Sequence, residues 1–276
     1  MGFKFTVILV SACFFVLRSA PLVFAADPGK PFLEAGSDHF RVRFSMESER
    51  GTAQTVLGRA EAFYIKIADD IGYSRYEDFW TWDHRVVITM YPDQYAYARF
   101  TGSPSWSKGF ASRDTRVFKE HTIVSYDGQE NFLDEVLPHE IAHLMLWDYI
   151  GAGSTSRMPV WFEEGVAQLQ EREKSQKVFE AMRPLVLRHG YIPFPSFEGM
   201  TITGENDAQK VSLFYAQSLS IVLFLIQKYG KDAFYRLCAE LRNGRSFEPA
   251  LARAYPSAFG SLDALEGRWV RYFEEQ

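Results

Sequence analysis

Residues 138–143 read PHEIAH, and this stretch decides how the rest of the chain is interpreted. Apolar residues surround it at helical spacing, which predicts an α-helix. Because each helical residue turns about 100°, His139 and His143 return to nearly the same face. Two imidazoles on one face can bind a divalent cation, and Glu140 can reach a water molecule on that cation and remove its proton. The alternative is an amphipathic helix that carries two surface histidines.

The first 26 residues have the three-part layout of a secretory signal peptide. Lys4 precedes an apolar run over residues 5–17, and small residues end the segment at Ala26. We therefore expect cleavage close to Ala26 and a periplasmic or secreted mature protein, without stable membrane insertion. Two alternatives stay open: a retained segment that tethers the protein to a membrane, and a lipoprotein signal around Cys13, although the apolar run continues past that cysteine.

The net charge argues about possible partners, and the cysteine count argues about disulfide bonds. The whole chain has a formal net charge of -5, and residues 1–26 carry two basic and no acidic residues, so the mature chain is more acidic still. This charge argues against nucleic acid as a partner. Only Cys238 remains after cleavage, which excludes an internal disulfide, and a chain of this length can bury a sufficient core without one.

Hydrophobic patterns predict strands mainly in the first half of the mature chain. Strands are expected at residues 39–45 and 86–90, and in a hairpin over residues 109–126. The second strand of that hairpin, Thr122–Tyr126, directly precedes the PHEIAH helix and is expected at the edge of the sheet. Amphipathic helices are predicted between these strands, at residues 51–71 and 93–100.

Helical patterns fill the second half. The predicted helices cover residues 131–150, 161–171, 173–189, 211–227, 231–243, 247–255 and 261–274. Pro138 removes one helical hydrogen bond and should restart the first of them. Residues 211–227 are apolar nearly all round, which indicates a central buried helix. The irregular residues 191–204 are either core filler or the rim of a cleft.

The mature chain, residues 27–276, is therefore predicted to form a single domain of the α+β class. A small N-terminal mixed sheet with helices is expected first, followed by a helical half.

The predicted helix at residues 161–171 begins with WFEEGVA, and it offers further metal ligands. A catalytic zinc ion usually takes three protein ligands, so the two histidines leave one ligand to find. Glu163 and Glu164 are adjacent and differ by about 100° around their helix, so at most one of them faces the histidine pair comfortably. Gly165 and Ala167 are small enough to let this helix approach the first one closely.

An HExxH stretch followed at this distance by W-x-x-E-G-x-A resembles the gluzincin clan of zinc metallopeptidases, to which thermolysin and the aminopeptidase N type belong. Within that clan it is similar to the small extracytoplasmic peptidase MA-like domains, over roughly residues 120–270. The resemblance implies Zn²⁺ held by His139, His143 and Glu164, the residue before the glycine. Glu163 then points aside, toward a substrate amine or into solvent.

The resemblance also extends to FYAQS at residues 214–218, which is similar to a tyrosine-containing segment of such domains. It implies that Tyr215 donates a hydrogen bond to the oxyanion formed during hydrolysis. A tyrosine that only fills the core is the alternative.

The expected function is hydrolysis of a peptide or protein substrate by a zinc-activated water molecule, with Glu140 as the general base. Thr122–Tyr126 is expected to hold the substrate backbone by strand addition, as edge strands of this clan often do. The rival prediction is a non-catalytic zinc-binding scaffold or interaction protein of the same fold.

Overall fold

A computed structural model describes residues 32–73, 80, 84–103, 107–113, 120–129, 131–151, 158–202 and 207–275. The predicted signal peptide lies outside the described residues, as does most of the loop at residues 151–159.

The described residues include one five-stranded mixed sheet. Its strands are β1 (Leu33–Gly36), β2 (Phe40–Phe44), β3 (Val86–Tyr91), β4 (Gly109–Ser112) and β5 (Thr122–Tyr126). They lie side by side in the order β1-β2-β3-β5-β4. The central strands β2, β3 and β5 are parallel, whereas β1 and β4 pair antiparallel at the two ends.

Strand β2 alternates between the core and the partly exposed face, as its sequence predicts. Phe40, Val42 and Phe44 are buried, whereas Arg41 and Arg43 between them form ion pairs on the other face. This two-residue period is what a strand with one buried face requires. Strand β1 was not predicted, because its short LEAG sequence has little β propensity of its own.

The predicted hairpin is present, but the prediction that Thr122–Tyr126 is the sheet edge is wrong. Strand β5 pairs with β3 on one side and with β4 on the other, and all five of its residues are buried. Strand β4 is therefore the terminal strand on this side of the described sheet, and β1 is terminal on the other. The error arose because parallel pairing joins segments distant in sequence, which a local pattern does not reveal.

The helices confirm the predicted helical second half. They are α1 (Arg50–Ile71), α2 (Gln94–Thr101), α3 (Leu137–Ile150), α4 (Val160–Gln168), α5 (Arg172–Leu187), α6 (Phe194–Phe197), α7 (Ala208–Tyr229), α8 (Lys231–Arg242), α9 (Phe247–Ala254) and α10 (Leu262–Glu274). Strands followed by helices in this way form the predicted α+β fold.

Helix α3, which carries PHEIAH, restarts where the proline predicts. A single turn of π-helix covers Phe132–Val136, and regular α-helix begins at the next residue. Pro138 is thus the second residue of α3, directly after the π-helical turn, and its missing N–H accounts for a change of helix type at this point. The change of helix type places the two histidines within regular helix.

Helix α7 is the buried central helix that the sequence predicts. By length and composition it could cross a membrane, with a mean hydropathy of 1.4, but 61% of its apolar window is buried in the structure. Within the irregular segment that precedes it, Phe194 and Phe197 are core filler: both are buried, and Phe197 stacks on Trp161 at 5.6 Å between ring centroids.

The chain divides into two compact units, and the division crosses α3 between Met145 and Leu146. In the described part of the chain, one unit contains the sheet, most of α1, and α2. The other unit contains Asp70–Tyr73 and every helix from α4 to α10. The single domain over residues 27–276 stays a prediction.

Candidate metal centre

Helix α3 brings the two histidines of PHEIAH together. The Nε2 atoms of His139 and His143 are 3.1 Å apart, as expected for side chains four residues apart on one helical face. Both residues are buried, with 3% and 4% of their surface exposed. The alternative of two surface histidines is therefore wrong.

Glu164 of α4 completes a buried cluster with this pair. One ligand atom from each of His139, His143 and Glu164 lies within 4.8 Å of the others. Glu164 is fully buried, with 0% of its surface exposed. The structure thus brings together the three residues that the sequence resemblance names as ligands.

The chemistry of these three side chains fits zinc. Two imidazole nitrogens and one carboxylate form a ligand set found in catalytic zinc sites. Tetrahedral zinc with Zn–N distances near 2.0–2.1 Å places two ligand nitrogens about 3.3 Å apart. The observed Nε2 separation of 3.1 Å is close to that value. The residues present therefore suit a tetrahedral ion with one coordination position left for water.

Gly165 permits the close packing that holds Glu164 in place. A Cβ atom at Gly165 would lie 2.6 Å from the backbone oxygen of Ser218 and 2.6 Å from Cγ2 of Val222, both on α7. No real Cβ is found so near a backbone oxygen, so only glycine allows this separation of α4 and α7. The residue next to Glu164 is thereby fixed against α7, whereas the sequence predicted that Gly165 would let α4 approach α3.

Glu163 does not point into solvent, which is one of its two predicted directions; the other, toward a substrate amine, stays a prediction. Glu163 is buried, with 5% of its surface exposed, and accepts a 2.5 Å hydrogen bond from the indole Nε1 of Trp147. Trp147 lies on α3, four residues after His143. Sequence reasoning did not single out Trp147, although its helical spacing from the histidines was a usable signal.

The two predicted catalytic residues are both buried. Glu140 follows His139 on α3 and has 2% of its surface exposed. Tyr215 is fully buried on α7, three residues before the Ser218 oxygen that contacts Gly165. The catalytic roles of both residues stay predictions.

Comparison with protein families agrees with this site. The family model described as the Peptidase MA superfamily matches residues 85–274, well over half of the chain. The chain belongs to the Peptidase MA superfamily. The match begins at β3. It therefore also covers α2 and β4, which precede residues 120–270, the part of the chain over which the sequence motifs indicated the resemblance. The superfamily typically binds zinc, in keeping with the buried cluster of two histidines and a glutamate.

Several curated proteins are similar to part of this superfamily member. Protein SprT of Erwinia tasmaniensis is 28% identical over 94 residues, which cover 34% of this chain and 54% of that protein. Protein SprT of Enterobacter sp. (strain 638) is 30% identical over 78 residues, or 28% of this chain and 47% of that protein. The chain thus spans about half the length of the curated relatives it matches. These likenesses support a zinc metallopeptidase-like fold.

Proposed function

We propose that the protein is a zinc-dependent peptidase that hydrolyses peptide bonds at the His139, His143 and Glu164 cluster. The observation that carries the proposal is the burial of two imidazoles and a carboxylate around one point, with Glu140 on the same helix. Burying polar and ionisable groups costs several kcal/mol unless they are paired or coordinate a metal. Coordination of a divalent cation is one arrangement that stabilises two imidazoles and a carboxylate buried together.

In this proposal the three clustered side chains hold zinc through His139 Nε2, His143 Nε2 and a carboxylate oxygen of Glu164. When bound, zinc supplies Lewis-acid chemistry, since it polarises a carbonyl group and lowers the pKa of water toward about 7. For both histidines to offer Nε2 as a ligand, each imidazole must carry its proton on Nδ1.

Glu140 transfers the protons, and Tyr215 stabilises the negative charge that develops on the substrate oxygen. The Glu140 carboxylate accepts a proton from the attacking water and then donates it to the leaving amine. The Tyr215 hydroxyl donates a hydrogen bond to the oxygen that becomes negatively charged, which is worth about 2 to 4 kcal/mol for a well-placed donor. The low exposure of Glu140 supports its role, because proton transfer is most effective where bulk water is excluded.

Strand β4 takes the substrate-binding role that the sequence assigned to β5. It is one of the two terminal strands of the described sheet, so a substrate backbone can pair along its outer side. A Cβ on Gly109, at its first residue, would lie 2.9 Å from Cγ1 of Val136, three residues before His139. The strand therefore begins beside the segment that leads into α3, which suits delivery of an extended peptide to Glu140.

A periplasmic or secreted location is part of the proposal, and the signal-like layout of residues 1–26 supports it. N-terminal sequencing of the mature protein tests this, with a start close to Asp27 expected. Acylated Cys13 or an intact leader would overturn it.

The decisive experiment combines metal analysis with a peptide-library digest of the purified mature chain. We expect about one zinc per chain and cleavage of peptides. Glu140→Gln should retain zinc and lower turnover by at least about 100-fold, the usual contribution of a general base. Glu173→Gln, a change on exposed α5 surface, is the matched control and should leave both unchanged.

Two results would contradict the proposal. Turnover by Glu140→Gln at the wild-type rate would remove Glu140 as the base. Zinc binding without any cleavage would favour the non-catalytic scaffold.

A further inference from the structure

Glu163 is a buried acid that the proposed mechanism does not use. With 5% of its surface exposed, it lies directly beside the ligand Glu164 in sequence. Removing a carboxylate from water is unfavourable by several kcal/mol unless strong hydrogen bonds compensate. The indole N–H of Trp147 donates a hydrogen bond to this carboxylate. A buried acid kept at this position calls for a role beyond solubility or surface charge.

Trp147 continues the face of α3 that carries the metal ligands. His139, His143 and Trp147 follow one another at intervals of four residues, which places them along one side of the helix at successive turns. Glu164 joins the two histidines, and Glu163 joins the next residue of the same row. The adjacent acids Glu163 and Glu164 thus each contact side chains from the same face of α3.

The chemistry of the indole suits this position. An indole N–H is always neutral and acts only as a donor, so it orients a carboxylate without adding positive charge. A lysine or arginine in its place would hold a cation one helical turn from His143 and would repel a divalent metal ion. Trp147 therefore fixes Glu163 while leaving the electrostatics of the ligand cluster favourable for a cation.

From this geometry we propose that Trp147 and Glu163 form a positioning pair that sets the register of α4 on α3, so that Glu164 faces the histidines. The inference rests on the proposed zinc site. Adjacent helical residues differ by about 100° in direction, so holding Glu163 on Trp147 determines where Glu164 points. Neither residue of the pair touches the ion. Loss of partners that orient a ligand typically lowers metal affinity by 10 to 100-fold.

Zinc affinity, measured by competition with a chromophoric chelator on the full mature chain, tests the pair. Trp147→Phe removes the donor and keeps a ring, and Glu163→Leu removes the acceptor and keeps similar volume. We expect each to weaken zinc binding by about 10 to 100-fold. The double variant should be hardly weaker than either single one, because both changes break the same contact. Glu163→Gln keeps an acceptor oxygen and should retain most of the wild-type zinc affinity.

The visible absorption of the Co²⁺-substituted protein gives a second readout, since it reports ligand geometry independently of activity. Trp147→Phe and Glu163→Leu should alter the bands, and Glu163→Gln should retain them.

Trp269→Phe is the matched control. It deletes another buried indole hydrogen bond of the same unit, 3.2 Å from Trp269 Nε1 to Ser220 Oγ. This variant should lower thermal stability without changing zinc affinity or the Co²⁺ spectrum.

The outcomes distinguish an error about the Trp147–Glu163 pair from an error about the zinc site itself. If Trp147→Phe behaves like Trp269→Phe, with lower stability but unchanged zinc affinity, the positioning role is wrong and the zinc site stands. If Glu163→Leu removes zinc entirely while Glu164→Ala retains it, Glu163 is itself the ligand and the inferred register is wrong. If the wild-type chain binds neither zinc nor cobalt, the proposed function fails, and the inference fails with it. If Trp147→Phe and Glu163→Leu do not fold, the test rests on Glu163→Gln. The proposal then requires this variant to keep the Co²⁺ spectrum and most of the zinc affinity.

Discussion

The carboxylates of the sheet and those of α4 have opposite surroundings. Glu34 lies on the exposed face of the sheet, with 42% of its side chain accessible, and receives a 2.6 Å contact from Arg43. Glu120 is also accessible and pairs with an arginine of β2. On α4, by contrast, Glu163 and Glu164 have 5% and 0% of their surface exposed.

The difference teaches where to look for function. An exposed ion pair contributes about 0 to 1 kcal/mol, so the acids of the sheet are ordinary surface chemistry. Burial of a carboxylate is unfavourable by several kcal/mol, so two adjacent buried acids persist only where a specific partner compensates. The indole of Trp147 serves one of them, and the histidine cluster with its expected cation serves the other.

The largest expected effect comes from Glu164→Ala, which removes a proposed ligand. Zinc affinity should fall by more than about 100-fold, because loss of orienting partners alone costs up to that factor. The rise in melting temperature that zinc confers on the wild-type chain should disappear as well, since a ligand stabilises only the state that binds it. Chelator competition and thermal unfolding, each with and without zinc, measure the two effects.

Glu34→Ala is the control from the other group of acids and should leave zinc affinity unchanged. An equal loss of zinc in both variants would mean that burial does not distinguish the two groups.

The next effect concerns the glycine that lets α4 approach α7. Gly165→Ala places a Cβ 2.6 Å from a backbone oxygen, which only a shift of the helices can relieve. We expect a loss of about 1 to 3 kcal/mol in the free energy of unfolding. Gly267→Ala on α10 is the control, since a Cβ there meets nothing within 4 Å. In an exposed helix this change should instead stabilise the protein by about 0.5 to 1 kcal/mol.

Denaturant unfolding of the two glycine variants measures both values. Equal effects of the same sign would indicate that helix propensity, and not close packing, governs position 165.

Local patterns predicted the elements that build this site. The spacing of His139 and His143 predicts their common face on any helix. Small Gly165 likewise indicates a close helix contact, although the helix it contacts is α7 and not the predicted α3. The two-residue period of β2 likewise determines which of its side chains are buried. Each of these inferences depends on residues close together in one element, where periodicity is sufficient.

Nonlocal contacts were not predictable in the same way. The place of β5 inside the sheet depends on its parallel pairing with β3, from which it is separated by α2 and β4. Helical spacing places Trp147 on the histidine face of α3, but it does not reveal that Glu163 of α4 accepts its hydrogen bond. Such contacts are decided by packing between elements, and sequence periodicity carries no record of them.

Glu61 is intermediate between the two groups of acids, and its effect should depend on pH. It accepts hydrogen bonds from Ser37 Oγ at 2.6 Å and from His39 N at 2.9 Å, and it contacts His39 Nδ1 at 2.6 Å. Burial by itself raises the pKa of Glu61, but the hydrogen bonds of Ser37 and His39 together outweigh it and hold the pKa below its usual range.

A lowered folded-state pKa contributes stability above the unfolded value of about 4.3, and this contribution is lost as pH falls through the folded-state pKa. Glu61→Gln should therefore destabilise the protein near pH 7 by about 1 kcal/mol, after allowance for partial exposure. At pH values below the folded-state pKa of Glu61 the variant and the wild type should converge. Urea unfolding at several pH values measures this, and a difference that stays constant down to the lowest pH would show that the carboxylate charge is not responsible.

The smallest effect should come from Glu34, which is more exposed than Glu120. Glu34 and Arg43 are 42% and 33% accessible, so solvent screens their 2.6 Å contact. A double-mutant cycle with Glu34→Gln and Arg43→Gln should give a coupling free energy of about 0.2 to 0.5 kcal/mol, which decreases further in 1 M salt. Because Arg41 also lies 3.7 Å from Glu34, a second cycle with Arg41→Gln separates a single pair from a network of charges. A coupling free energy above about 1 kcal/mol would exceed what an exposed ion pair contributes. The solvent accessibility of a carboxylate would then not predict how strongly it interacts in this protein.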